Sequence, residues 1–221
     1  MIRPGEPWGH PTSSPPDVDV AGGDAALAAV AGRTPGALVR FRPDRTSDLA
    51  RAVGLAPTTV HGSTTALGTA LPLDLLAFGE AVACNMCVFG TPPDRLRRSS
   101  PSFEIHVELD DRPWYSGRAT TVVVAIGQFL RGFDVVPRSH PGDGKAEVQV
   151  YDVGRRERRT MRSRLVSGTH LPHPGIRQRS AHTIELRFRP AAPSEIDGAG
   201  HEPLTSTTTI EVVASAYRLL V

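Results

Sequence analysis

The stretch Val18-Asp19-Val20-Ala21-Gly22-Gly23-Asp24-Ala25-Ala26-Leu27-Ala28-Ala29-Val30-Ala31 joins three local signals in one line. Val18 to Val20 is a short apolar run suited to a strand, Ala21-Gly22-Gly23-Asp24 supplies a tight glycine turn, and Ala25 to Ala31 is a run of small helix-forming residues. A second unit follows. Ala37-Leu38-Val39-Arg40-Phe41 reads as a strand, and the segment from Asp44 to Gly54 opens with N-cap-type residues and closes on glycine, which predicts a short helix. Two successive strand-turn-helix units imply a small α/β layer with parallel strands.

From about Leu71 the period changes. Phe103, Ile105, Val107 and Leu109 alternate with Glu104, His106 and Glu108; Val148 and Val150 alternate with polar neighbours; Ile184, Leu186 and Phe188 alternate with Glu185, Arg187 and Arg189. Ala119 to Ile126 is an unbroken run that predicts one strand covered on both faces, and Thr209 to Val213 and Tyr217 to Val221 read as a final pair of strands. Many short strands separated by Pro/Gly turns predict a β-sandwich. Arg155 to Leu165 interrupts them as a basic helix or long loop. The expected fold class is α+β: a polar, flexible lead-in over residues 1–16, a small α/β lobe over 17–68 and a β-sandwich-like domain over 69–221.

Composition narrows the function classes. The chain has 221 residues, with 25 Lys and Arg against 23 Asp and Glu. That balance does not imply nucleic-acid binding. No run approaches the roughly 18 apolar residues of a membrane-spanning helix, and the start of the chain does not read as a secretory signal, so a cytoplasmic protein is expected. Cys84 and Cys87 form a CxxC, but no second pair accompanies them. Ala83 to Gly90 reads as a buried strand in which residues three apart point to opposite faces, which argues against a redox or zinc role.

Taken in order, these segments resemble the diacylglycerol kinase and bacterial lipid kinase family, which shares its fold with NAD kinases. Val122 to Gly132 is similar to the family's strand running into a glycine turn. Pro137 with Pro141-Gly142-Asp143-Gly144-Lys145-Ala146-Glu147-Val148 resembles its Asp-Gly loop and strand, Gly168-Thr169-His170 through Ile176 its G-x-H segment, and Asp197-Gly198 its D-G-E. Gly22-Gly23-Asp24-Ala25-Ala26 stands where the family has G-G-D-G-T, and Ser47-Asp48-Leu49-Ala50-Arg51 where it has N-D-F-A-R. The departures lie in the same places: Ala25 and Ala26 replace Gly and Thr, Ala199 replaces the Glu of D-G-E, Ile126 stands where many members have Asn, and the family's first strand and helix have no counterpart. The resemblance thus implies a truncated nucleotide-binding lobe.

It also implies ATP and Mg²⁺ as cofactors and a lipid or lipid-like molecule as acceptor. Gly22, Gly23, Asp24, Ser47 and Asp48 would be the nucleotide-binding set, since glycines at a strand-to-helix turn let backbone N–H groups approach phosphate. On its own type and position Asp48 reads rather as a cap of its helix, where Asp in the first turn is favourable, and Ala25 is expected to restrict the glycine turn. Asp143 would hold a structural divalent cation or make an Asp-Gly turn. Asp197 would be the general base, with a β-turn as the plain alternative. Asp74 corresponds to an acidic position that opens the family's β-domain and otherwise reads as a turn residue. His170 and His173 read as loop structure. The arginines from Arg155 to Arg164 read as a solvated face or as a patch for an anionic membrane surface, and an unpaired sheet edge suggests a homodimer.

Overall fold

The computed structural model describes residues 7–55, 68–202 and 207–221. In chain order the elements are β1 (His10–Thr12), β2 (Val18–Gly22), α1 (Asp24–Ala31), β3 (Leu38–Pro43), α2 (Asp48–Ala52), β4 (Gly68–Phe78), β5 (Ala81–Ala83), β6 (Met86–Gly90), β7 (Phe103–Leu109), β8 (Arg112–Ala119), β9 (Thr121–Ala125), β10 (Phe129–Leu130), β11 (Phe133–Asp134), β12 (Ala146–Tyr151), α3 (Arg158–Arg164), β13 (Ile176–Ala181), β14 (Thr183–Arg189), β15 (Ser194–Ile196), β16 (Ala199–His201) and β17 (Thr207–Leu220). Mostly strand with few helices, they make the α+β class expected. Within the lead-in, His10 to Thr12 form a strand against β4.

Two sheets face each other. One has nine strands and runs β1-β4-β17-β14-β7-β8, with β2 and β3 joined through β17 and β5 through β4; the other runs β13-β12-β9-β6-β15-β16. The period-two pattern explains which side chains meet between them. On β9, Val122 and Val124 enter the cluster between the sheets with Phe89, Val107, Val148 and Leu186. Val123 and Ala125 point the other way, to Met86, Tyr151, Met161 and Leu165 under α3. This strand is therefore covered on both faces, and each fully buried Val contributes roughly 1.5–3 kcal/mol. The expected run is broken once: β8 ends at Ala119 and Thr120 separates it from β9.

The small lobe is built on the same large sheet. β2 pairs with β3 in parallel, as the strand-turn-helix units require, and β3 pairs in parallel with the end of β17. α1 and α2 cover this corner, and Leu27, Val39, Leu49, Leu73, Leu75 and Tyr217 form its core. The final pair of strands is one strand, β17, bent at a register shift between Val213 and Tyr217, where Ser215 has φ +50°. Asp74 makes that bend possible. Fully buried in the middle of β4, its carboxylate accepts from Ser215 N–H at 2.8 Å and Gly144 N–H at 2.7 Å. Burial raises its pKa against those two bonds.

Cys84 and Cys87 are free, buried thiols that belong to different cores, Cys84 under the helices and Cys87 between the sheets. Their segment is not one strand. A bend at Cys84 and Asn85 separates β5 from β6.

Candidate active site

α1 begins at Asp24 because Gly22, at φ +129°, turns the chain sharply out of β2, a conformation that favours glycine. Ala25 lies inside the helix, so its Cβ imposes no strain on the turn, contrary to the cost expected from the sequence. Gly23 is packed close: a Cβ there would lie 3.0 Å from Thr46 Oγ1. Asp24, expected to face a nucleotide, directs its carboxylate at the start of α2. It accepts from the Ser47 hydroxyl at 2.5 Å and from Asp48 and Leu49 N–H at 3.1 Å each. Ser47 is the N-cap of α2 and accepts from Ala50 N–H at 3.0 Å. Burial pushes the Asp24 carboxyl up to about 7; the Ser47 bond opposes this and the nearby Asp197 charge adds to it.

Asp48 faces the β-domain. Its carboxylate accepts from the backbone N–H groups of Arg131 and Gly132 in the β10–β11 turn, the latter at 2.8 Å. The Arg131 guanidinium then grips Asp94 with two bonds of 2.9 and 2.7 Å and Glu195 with one of 2.7 Å. Glu195 also accepts from Arg95 at 2.9 Å. The chain of contacts from Asp24 through Ser47, Asp48 and Arg131 to Glu195 thus joins the helical corner to β15.

Asp197 occupies the β15–β16 turn at φ +48°, followed by Gly198 at φ +77°. Its carboxylate accepts from the N–H groups of Cys84, Asn85 and Met86 at 2.9, 2.9 and 3.1 Å, and its own N–H donates to Met86 O. Burial raises its pKa to about 6 against those bonds. A cleft of about 390 Å³ opens between α1 and this hairpin. It is lined by Ala25, Ala29, Gly32 and Arg33 of the helical side, Glu80, Ala81 and Val82, and Ile196, Asp197, Ala199, Gly200 and His201. Cys84 ties the two walls together, its thiol donating to Asp24 O at 3.2 Å. Gly22, Gly23 and Asp24 lie behind this wall and are not among its lining residues.

The other expected positions lie apart. Asp143 accepts from Lys145 N–H at 3.0 Å, within its own turn. His173 accepts from Gly175 N–H at 3.0 Å, while the fully buried His170 has its pKa lowered by burial to about 4. Sequence reasoning missed Asn85 and Arg131. Asn85 donates to Phe129 O at 3.0 Å, and its buried Oδ1, which a Cβ on Gly127 would overlap, has no hydrogen-bond partner among the described residues. Nothing local in the sequence marks either residue, because both act on segments distant in the chain.

A family model described as the YegS C-terminal NAD kinase beta sandwich-like domain matches residues 96–221. The chain belongs to that family. Its residues 96–221 carry Asp197 and the Arg131 turn, while the helical wall of the cleft precedes them. Among solved structures, a diacylglycerol kinase from Bacillus anthracis superposes with a TM-score of 0.72 at 16% identity, covering 92% of this chain and 77% of that one. At such low identity the likeness establishes the fold: this YegS-family chain has the lipid-kinase-like architecture. An NAD kinase from Archaeoglobus fulgidus in complex with ATP and a yeast NADH kinase complexed with NADH, at 11% and 12% identity, each cover 92% of this chain, and this chain covers 76% and 61% of them, with TM-scores of 0.48. No curated protein matches the chain significantly. Among the described residues, no helix is long and apolar enough to cross a membrane.

Proposed function

We propose that this chain is a lipid-kinase-like phosphotransferase that moves a phosphoryl group from Mg·ATP to a hydroxyl of a lipid or lipid-like acceptor, with Asp197 as general base. The observation that carries the reading is Asp197 itself, a residue of the cleft lining, across from Ala25 and Ala29 of α1, whose carboxyl pKa is raised to about 6. A base works best when its pKa lies near the working pH. The three backbone N–H groups fix its direction without neutralising it.

The cleft's chemistry suits a phosphate-bearing group with a divalent ion. Arg33 and His201 of the lining supply donors, Arg33 a positive charge, and Glu80 an oxygen ligand. Bound Mg·ATP would supply the phosphoryl group and the charge neutralisation that phosphoryl transfer needs. The Arg131 contacts keep β15, and with it the Asp197 turn, in register with α2. Asp197 would accept the acceptor's proton, so activity is expected to fall as pH drops below about 6.

A second reading is a kinase-fold protein that binds nucleotide, lipid or a partner without turnover. Two placements favour it: Asp24 is committed to capping α2, and Ala199 lines the cleft where the resembling kinases have Glu. Calorimetric titration with ATP, with and without Mg²⁺, separates the two. Mg²⁺-dependent ATP binding supports the phosphotransferase, and its absence leaves the binding protein.

A further inference from the structure

Arg158 is the buried member of the basic run. Its guanidinium donates to the carbonyls of Val153 at 3.0 Å, Arg97 at 3.1 Å and Ser100 at 2.9 Å, and Arg162 reaches Leu96 O at 3.4 Å. These bonds clamp the 96–100 segment against α3, although both carry arginines outward. Arg97, Arg98, Arg155, Arg156 and Arg159 are exposed, and Arg162 is half-buried beside them. A shallow depression of about 280 Å³ lies among Leu96, Arg97, Arg98, Arg159 and Arg162. None of these arginines forms an ion pair with a carboxylate among the described residues. Just past α3, Val166 is 70% exposed, the most exposed large apolar side chain described.

Unneutralised like charges gathered within a Debye length repel one another, and the fold holds them together with a buried scaffold rather than dispersing them. Guanidinium groups suit phosphate oxygens through their planar fork of donors. We infer that this face docks on an anionic phospholipid surface, with its arginines on headgroup phosphates and Val166 entering the interfacial layer. Charge complementarity supplies the attraction. A lipid surface fits better than nucleic acid because the patch has an exposed aliphatic side chain and no aromatic one on which a base could stack.

One ion pair links the arginine-bearing segment to the strand that leads into the Asp197 turn. Arg95, one residue before Leu96, pairs with Glu195, which lies two residues before Asp197. A bilayer held here would bring headgroup-level hydroxyls towards the Asp197 hairpin; that consequence rests on the phosphotransferase reading, whereas docking itself does not.

The test is co-sedimentation of the full chain with vesicles of phosphatidylcholine alone and of phosphatidylcholine containing phosphatidylglycerol, over a range of salt. Binding is expected only to the anionic vesicles and should weaken as salt rises. Replacing Arg97, Arg98, Arg155 and Arg159 together by Gln should weaken it about 1000-fold, at roughly a kilocalorie per charge. If that variant does not fold, the pairs Arg97→Gln with Arg98→Gln and Arg155→Gln with Arg159→Gln, made separately, should each cost about 30-fold. Equal binding to both vesicle types, no binding, or undiminished binding by folded variants overturns the proposal. So does tighter binding to duplex DNA than to anionic vesicles at the same salt. Calorimetry with Mg·ATP on the same protein keeps the two ideas apart: docking without ATP binding overturns only the phosphotransferase, and ATP binding without docking overturns only the membrane face.

Discussion

The helical corner around Asp24 and the hairpin around Asp197 are built alike and end differently. Each presents one carboxylate to three donors, and burial raises both pKa values, to about 7 and about 6. Asp24 is 4% exposed and its donors are the N-cap and first turn of α2, so its carboxylate completes a helix end. Asp197 belongs to the cleft lining, and a Cβ on neighbouring Gly198 or Gly200 would meet nothing within 4 Å. Hydrogen-bond count and pKa do not separate the two carboxylates; the cleft beside the Asp197 turn does.

Arg131 holds the two regions together, and its loss should have the largest effect on stability. Arg131→Ala removes the partner of Asp94 and one of the two partners of Glu195, which keeps Arg95, while leaving the backbone N–H that serves Asp48. Arg131 is partly exposed, so the cost is expected at about 2–3 kcal/mol, below the range for a fully buried pair. A urea midpoint unchanged from the wild type would show that the lobes are held by other contacts.

Asp24→Asn comes next. A carboxyl whose native pKa is raised binds its proton more tightly when folded, so its contribution is fully present below the unfolded value near 4 and is lost as pH rises through about 7. The variant offers one acceptor oxygen where Asp24 uses two. It should therefore lose about 1–3 kcal/mol near pH 5 and less near pH 8, giving a flatter profile of melting temperature against pH. Parallel profiles would mean that Asp24 does not titrate in this window.

Two glycines sharpen the contrast at smaller scale. Gly23→Ala pushes a Cβ against Thr46 and should cost about 1 kcal/mol, whereas Gly200→Ala on the open hairpin should stay within about 0.5 kcal/mol. Thermal melts of the pair decide it, and equal costs would remove the distinction between a closed corner and an open hairpin.

How much of this could be read from the chain depended on sequence distance. Period-two alternation marked β7, β12 and β14, and the strand-turn-helix pattern marked the parallel pair β2 and β3, because each signal is local. The continuity of β17 was not legible: its bend at Ser215 looks like a turn, and only Asp74, far away in β4, shows what holds it. In the candidate site, Asp197 was found through the resemblance of its Asp-Gly to a family motif. The donors that orient it come from residues 84–86, and the Arg131 bridge depends on Asp94 and Glu195, so neither could be inferred from spacing. The α2 cap was half-legible, since Ser47 and Asp48 carry the usual N-terminal residue types while Asp24, which completes the cap, belongs to another helix.

The proposed role of Asp197 as proton acceptor is tested by the rate of phosphate transfer from Mg·ATP to a panel of lipid hydroxyls by the wild type and by Asp197→Asn. Asparagine keeps the shape of the turn and removes the proton acceptor. Calorimetry on both proteins establishes that nucleotide affinity is matched. The wild type should transfer phosphate at a rate that declines below about pH 6, and the variant should be slower by roughly 10²–10⁴-fold with unchanged Mg·ATP affinity. Equal rates from both proteins, or no transfer by a wild type that binds Mg·ATP, would contradict that role.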